Sequence, residues 1–226
     1  MIEVCTLYCF FATEMGKAKL VKFAEFDSFS NTFDASCNLK GQWNNWFNNN
    51  NPIVLELACG KGDYTLGLAR MNPNINYIGV DIKGNRLWRG AKTALEEGLS
   101  NVAFLRIPID NISEYFATNE VYEIWITFPD PQPQKERKRL SSPKFLKTYR
   151  EIAQPQALMN VKTDSDLFYE FTLETAQEEK LEVLKNISDV YAMPIVPEVL
   201  QIRTYYESIW LGMGRIIKYV QYRLNP

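Results

Sequence analysis

Apolar residues along this chain gather in short unbroken runs, and the segments between the runs carry helical spacing. Ile53 to Ala58 (IVLELA) is bounded by Pro52 and Gly60, the pattern of a strand buried on both faces of a parallel sheet. NYIGVDI (Asn76 to Ile82), NVAFLRI (Asn101 to Ile107), YEIWITF (Tyr122 to Phe128) and ALMNVKT (Ala157 to Thr163) repeat it. Between them, Asp63 to Met71, Asn85 to Glu97, Ser113 to Ala117, Pro143 to Ile152 and Leu167 to Glu178 read as helices, the second ending near Gly98. Strand and helix in alternation predict an α/β fold built on a Rossmann-like, doubly wound, mostly parallel sheet. RIIKYVQYRL (Arg215 to Leu224) adds a last strand, read as an antiparallel edge.

Upstream of the first run, the polar stretch Asn44 to Pro52 reads as a linker, so the folded domain is expected over 51–226. Residues 15–50 read as a basic N-terminal arm plus that linker, with Lys17, Lys19 and Lys22 in the arm. The opening 1–14 is apolar but carries Glu3 where an export signal needs a basic residue. It reads as a non-native or disordered extension, with Met15 as an alternative start.

Composition narrows the chemistry. No uninterrupted apolar run reaches the length of a membrane span. Four scattered cysteines (Cys5, Cys9, Cys37, Cys59) form neither a disulfide framework nor a metal pattern, which fits a reducing cytoplasm. Histidine is absent from the 226 residues. That removes the commonest general base and the commonest metal ligand, excluding His-dependent triads and the usual zinc hydrolase sites. The formal net charge is −2, so a polyanionic partner has to be met by a local patch.

In doubly wound sheets ligands lie beyond the carboxyl ends of the strands, where strand order reverses. The first run leaves through Glu56-Leu57-Ala58-Cys59-Gly60-Lys61-Gly62-Asp63. Gly60 and Gly62 allow a tight turn and a close backbone approach to a ligand. The third small residue of a dinucleotide fingerprint is missing, because position 65 is Thr, and no Gly-Lys-Ser/Thr makes a phosphate loop. Glu56 is a carboxylate inside an apolar strand. It either holds a cationic amino group or orders the loop by capping an amide. Asp81 ends the second strand about twenty residues after the glycines, the offset at which a carboxylate meets a ribose diol. Together these residues describe a site for an adenosine-type ligand.

A further stretch, TFPDPQPQKERKRLSSPKF (Thr127 to Phe145), sets Asp130 between two prolines, and the cations Lys135, Arg137, Lys138, Arg139 and Lys144, continued past it by Lys147 and Arg150, face Glu136 alone. The bland alternatives are that PDP is only a rigid turn and the basic run a solvated helix face. ExxxGxG followed by an acidic strand end resembles the class I S-adenosylmethionine-dependent methyltransferases. GVDIKGNRLWRGAKTALEEGLSNVAFLR, the PDP segment with its basic tail, KTDS (Lys162 to Ser165), TYYES (Thr204 to Ser208) and GRIIKY resemble, in order from about Met15 to the C-terminus, the tRNA (guanine-N7-)-methyltransferases.

The resemblance implies a seven-stranded sheet, a methyltransferase domain over 51–226, S-adenosyl-L-methionine as cofactor and a guanine N7, in the variable loop of tRNA, as acceptor. It places Glu56, Gly60, Gly62, Asp81, Asp110 and Asp130 on the cofactor side, with Asp130 as the catalytic residue. Lys135, Arg137, Lys138, Arg139, Asp164, Thr204, Tyr205, Tyr206 and Glu207 fall on the tRNA side. No metal and no membrane partner is implied, and monomer and homodimer are equally open. Gln132 and Gln134 stand where the family usually has Trp and Lys, the basic segment is shorter and lacks His, and Pro108-Ile109 replaces the usual Asp-Ala. Lys135 is then expected to supply the missing basic contact, and Asp110 or a backbone amide to meet the adenine. Gln154 to Ala157 replaces the Pro-Gly-Gly before the fifth strand. Two rivals remain at this stage. A same-fold enzyme acting on another RNA base or an amine is disfavoured because amine enzymes carry Asn/Asp-Pro-Pro-aromatic where this chain has FPDP. A non-catalytic RNA-binding relative would be expected to have lost Glu56, Asp81 or Asp130.

Overall fold

The computed structural model describes residues 21–225, so Lys17, Lys19, Cys5, Cys9 and the 1–14 extension lie outside the described residues. Fifteen apolar positions in the five central strands are almost solvent-free, and they organise one sheet. In chain order the elements are α1 (described over 21–28), β1 (Thr32–Phe33), α2 (Trp43–Phe47), β2 (Ile53–Leu57), α3 (Asp63–Met71), β3 (Asn76–Asp81), α4 (Gly84–Glu96), β4 (Val102–Arg106), β5 (Val121–Thr127), α5 (Pro143–Ile152), β6 (Ala153–Thr163), α6 (Asp166–Glu178), β7 (Val183–Ile187), α7 (Glu198–Gln201), α8 (Tyr205–Gly212) and β8 (Lys218–Arg223). The strand order is β1-β4-β3-β2-β5-β6-β8-β7. The order reverses beside β2, which pairs in parallel with β3 on one side and β5 on the other.

Alternate residues of each strand serve opposite faces. Ile53, Leu55 and Leu57 of β2 join Ile78, Val80, Ile124 and Ile126 in a core closed by α2, α5 and α6. Val54 joins Tyr77, Phe104 and Trp125 in a second core under α3, α4 and the α7–α8 region. Glu56 has the parity of Val54 and so points toward α3. The register sets Leu57 beside Val80 and Ile126, and Thr127 beside Lys162. The exits of β2, β3, β5 and β6 therefore line up at one edge of the sheet.

The α/β doubly wound class is as expected, and four details differ. The sheet has eight strands, because β1 adds a two-residue pairing to β4. The antiparallel C-terminal strand β8 is not at the edge but between β6 and β7, both antiparallel to it. The expected linker from Asn44 begins inside α2, whose Trp43 and Phe47 are buried in the first core. Trp43 stacks on Phe116 with centroids 5.4 Å apart and donates its indole N–H to the Tyr115 carbonyl at 2.9 Å. The domain thus draws on residues before 51. Finally, the helix expected over 113–117 is a 3-10 turn at Ile109–Glu114.

Candidate active site at the carboxyl end of the sheet

The β2 exit turns through left-handed backbone at Ala58 (φ 57°), Gly60 (φ 58°) and Gly62 (φ 73°). The two glycines do different work. A Cβ on Gly62 would stand 2.5 Å from the Phe104 ring, so that position is required for packing, whereas a Cβ on Gly60 would meet nothing within 4 Å. Gly60 faces open space, the side on which a ligand can approach the backbone.

Two carboxylates fix this loop. Glu56 is buried and accepts from the Thr65 amide (2.7 Å), the Thr65 hydroxyl (2.5 Å) and the Thr127 hydroxyl (2.6 Å). Of the two roles open to it, loop ordering is the one the geometry provides: it ties β2 to the first turn of α3 and to the end of β5. Burial pushes its carboxyl up to about 7, against the lowering effect of these three donors. Asp81 accepts from the Gly60 amide at 2.9 Å on one oxygen and from the Lys83 amide at 2.7 Å on the other. Each oxygen keeps a second lone pair for an outside donor.

The PDP turn is built under tension. Phe128 (φ 50°) and Gln132 (φ 46°) are left-handed non-glycine residues on either side of it, a conformation that costs energy and persists only where neighbours enforce it. The enforcing neighbours are visible. Phe128 donates its amide to the Lys162 carbonyl at 2.8 Å. Arg139 donates to the carbonyls of Pro131 (3.2 Å) and Pro133 (3.4 Å) while its guanidinium covers the Phe171 ring at 4.5 Å. Asp130 is exposed at the apex. One oxygen accepts from the Gln132 amide at 3.0 Å, and among the described residues no cation pairs with it.

Two cavities flank the PDP turn: Asp130 lines the larger, and Gln132, whose amide it accepts from, lines the smaller. One, of about 380 Å³, opens beside the β2 and β3 exits and is lined by Ala58, Asp81, Ile82, Ile107, Ile109 and Gln132, among others. An apolar wall with a carboxylate at its rim suits an adenosine. The other is a cleft of about 840 Å³, lined by Asp130, Asp164, Arg86, Tyr206, Trp210 and Arg215, among others. Asp164 accepts from Arg215 at 2.5 Å, and the same guanidinium lies 4.2 Å over the Trp210 ring. Arg86, Trp210 and Arg215 are cleft residues that motif reading did not single out. For Trp210 the signal was present, because it follows Tyr206 by one helical turn.

Several expected site residues are used otherwise. Arg139 is a buried cation turned inward to the PDP carbonyls and not outward to phosphate. Asp110 lines the smaller cavity but is paired with Lys144. Glu207 is fully buried. It accepts from Lys162 (2.7 Å) and the Tyr191 hydroxyl (2.8 Å), and it closes a capping box with Thr204, so neither Glu207 nor the Thr204 hydroxyl faces the cleft. Tyr205 and Tyr206 emerge exposed from the start of α8. Of the basic run, Lys135, Arg137, Lys138 and Lys147 point to solvent, whereas Lys144 and Arg150 are held by Asp110 and Glu179.

The glycine loop, the acidic strand end and the strand order define a class: a Rossmann-like methyltransferase fold. The solved structure of the 16S rRNA methyltransferase KamB overlays with a TM-score of 0.64 at 16% identity, covering 82% of this chain and 94% of that one. A SAM-dependent methyltransferase from Aquifex aeolicus gives 0.54 at 16%, covering 76% and 82%. A family model described as "Putative methyltransferase" matches residues 50–220. The tRNA (guanine-N(7)-)-methyltransferase of Christiangramia forsetii is 47% identical over 92% of this chain and 99% of its own length. That of Bacteroides thetaiotaomicron is 44% identical over 93% and 87%. The chain belongs to the tRNA (guanine-N(7)-)-methyltransferase family.

Proposed function

We propose that this protein methylates N7 of a guanine in tRNA, using S-adenosyl-L-methionine held between the glycine loop and the PDP turn. The observation that carries the reading is the carboxylate of Asp130, without an ion-pair partner among the described residues, in the wall of the larger cleft and two residues from Gln132 in the wall of the smaller cavity. Glu56 fixes the loop, Gly60 admits the ligand to its backbone, and Asp81 offers lone pairs to a diol at the rim of the smaller cavity. When bound, the cofactor supplies an electrophilic methyl group.

The larger cleft takes the base. Guanine N7 has an in-plane lone pair and no proton, so attack requires no general base, which suits a chain without histidine. The base becomes positive as the methyl arrives. A fixed carboxylate beside it stabilises the transition state more than the ground state, and Asp130 is held in place by the strained turn and by Arg139. Asp130 also has the free acceptor capacity to meet guanine N1 and N2 donors and so aim the N7 edge. Most of the rate gain then comes from positioning.

Lys135, Arg137, Lys138 and Lys147 supply phosphate contacts, with Lys135 standing in for the cation missing at Gln134. The variable loop is the proposed location of the guanine, from the family resemblance. The cytoplasm is the proposed compartment, supported by the free Cys37 and Cys59. No helix among the described residues is long and apolar enough to cross a membrane. The test is to incubate the protein with methyl-labelled cofactor and unmodified tRNA and to map the labelled nucleoside. Label at guanine N7 is expected; label on any other atom overturns the reading.

A further inference from the structure

A second groove of about 490 Å³ runs between α3, α4 and the α7–α8 connection, lined by Lys61, Asp63, Arg70, Arg89, Thr93 and Arg203, among others. Its charge is lopsided. Arg70 is neutralised by Glu97 through two 2.7 Å contacts, and Asp63 accepts from the Tyr205 amide at 2.9 Å. Lys61, Arg89 and Arg203 are exposed and make no ion pair among the described residues. On α4 the spacing of Arg86, Arg89 and Thr93 places all three on one stripe, facing the α8 side.

Two aromatic rings link this groove to the larger cleft. Lys61 Nζ lies 3.9 Å over the Tyr205 ring, Tyr205 meets Tyr206 edge to face at 5.4 Å, and Arg86 lies 6.0 Å from the Tyr206 ring. Arg86 and Tyr206 line the cleft, whereas Lys61 and Arg89 line the groove. Cations alternating with exposed aromatic faces fit a nucleic-acid strand, whose phosphates need positive charge and whose bases need stacking surfaces. A free anion would use the cations and leave the two tyrosines idle.

We infer that the groove carrying Lys61, Arg89 and Arg203 is a second RNA-backbone site. It engages the strand that leaves the cleft past Arg86 and Tyr206, apart from the basic run after PDP. The substrate RNA is then gripped on both flanks of the reacting base, and Tyr205 and Tyr206 form the saddle between the two grips. The inference rests on the proposed reading of the cleft as the guanine site.

The test measures tRNA affinity of the full chain across a salt series, for wild type and for the double variant Arg89→Ala/Arg203→Ala, with cofactor affinity measured in parallel. About tenfold weaker tRNA binding is expected, with the slope of log affinity against log salt reduced by about two, one for each lost phosphate contact, and unchanged cofactor affinity. Tyr205→Ala is expected to weaken binding several-fold with no change in slope, since stacking releases no counterions. Unchanged affinity and slope in the double variant, with wild type still methylating guanine N7, overturn the second site alone. Wild type that neither binds nor methylates tRNA overturns the guanine reading and the groove with it.

Discussion

At the scale of single residues, two carboxylates of the candidate site have opposite surroundings. Asp130 is exposed and unpaired, and Asp130→Ala is expected to abolish methyl transfer while leaving cofactor affinity within a few fold. Label incorporation and calorimetric titration measure the two effects separately, and full activity in the variant would refute the role. Glu56 is buried among donors, with a carboxyl raised from 4.5 to about 7. The folded state therefore binds its proton more tightly than the unfolded chain does. Its contribution to stability is fully present below about 4.5 and is lost as pH rises through about 7. Urea unfolding across that range should show wild type losing stability relative to Glu56→Gln between those values, with a constant difference above them. Both carboxylates stand out as candidates in local sequence. What Glu56 does was not, because its partners Thr65 and Thr127 lie on different elements. Arg139 was misread for the same reason: a cation among cations reads as surface until the prolines it supports are seen folding over it.

At the scale of elements, α8 is the informative case. Its sequence, YYESIWLG, is apolar enough to escape helical assignment, yet Thr204 and Glu207 are spaced as a capping box and the structure forms one. The helix is pinned by a buried lysine: Lys162 donates to the Leu200 carbonyl (2.8 Å), the Ile202 carbonyl (3.1 Å) and Glu207. Burial pushes the Lys162 ammonium down, and Glu207 offsets part of that. Removing the cation leaves a buried anion with too few donors. Lys162→Met should cost about 3–5 kcal/mol, against about 1 kcal/mol for Thr204→Ala, which loses only the cap. Denaturant melts of the two variants check the ranking, and equal losses would mean that the ion pair does not anchor α8. β7 escaped detection differently. VLKNI is a short, exposed edge strand without clean alternation, so the two-residue period is absent.

At the scale of the whole molecule, the sheet that carries the candidate site depends on residues far from it in sequence. Trp43 is completely buried between Phe33, Trp46 and Phe116. Trp43→Ala should cost about 3–5 kcal/mol, read as a lowered midpoint in thermal or urea unfolding, and a chain begun at residue 51 should unfold well below the full-length protein. A full-length midpoint from the shortened chain would restore the linker reading. The sequence by itself determined the alternation of strand and helix, the glycine turn, the acidic strand end and the PDP apex. These are fixed by period and backbone chemistry over a few neighbouring residues. The tertiary structure decided which charges are spent inside the protein and which face the ligand. It turned Arg139 and Glu207 inward, left Asp130 unpaired, and set Lys61, Arg89 and Arg203 along one groove. Pairing and desolvation are properties of neighbours brought together from distant parts of the chain.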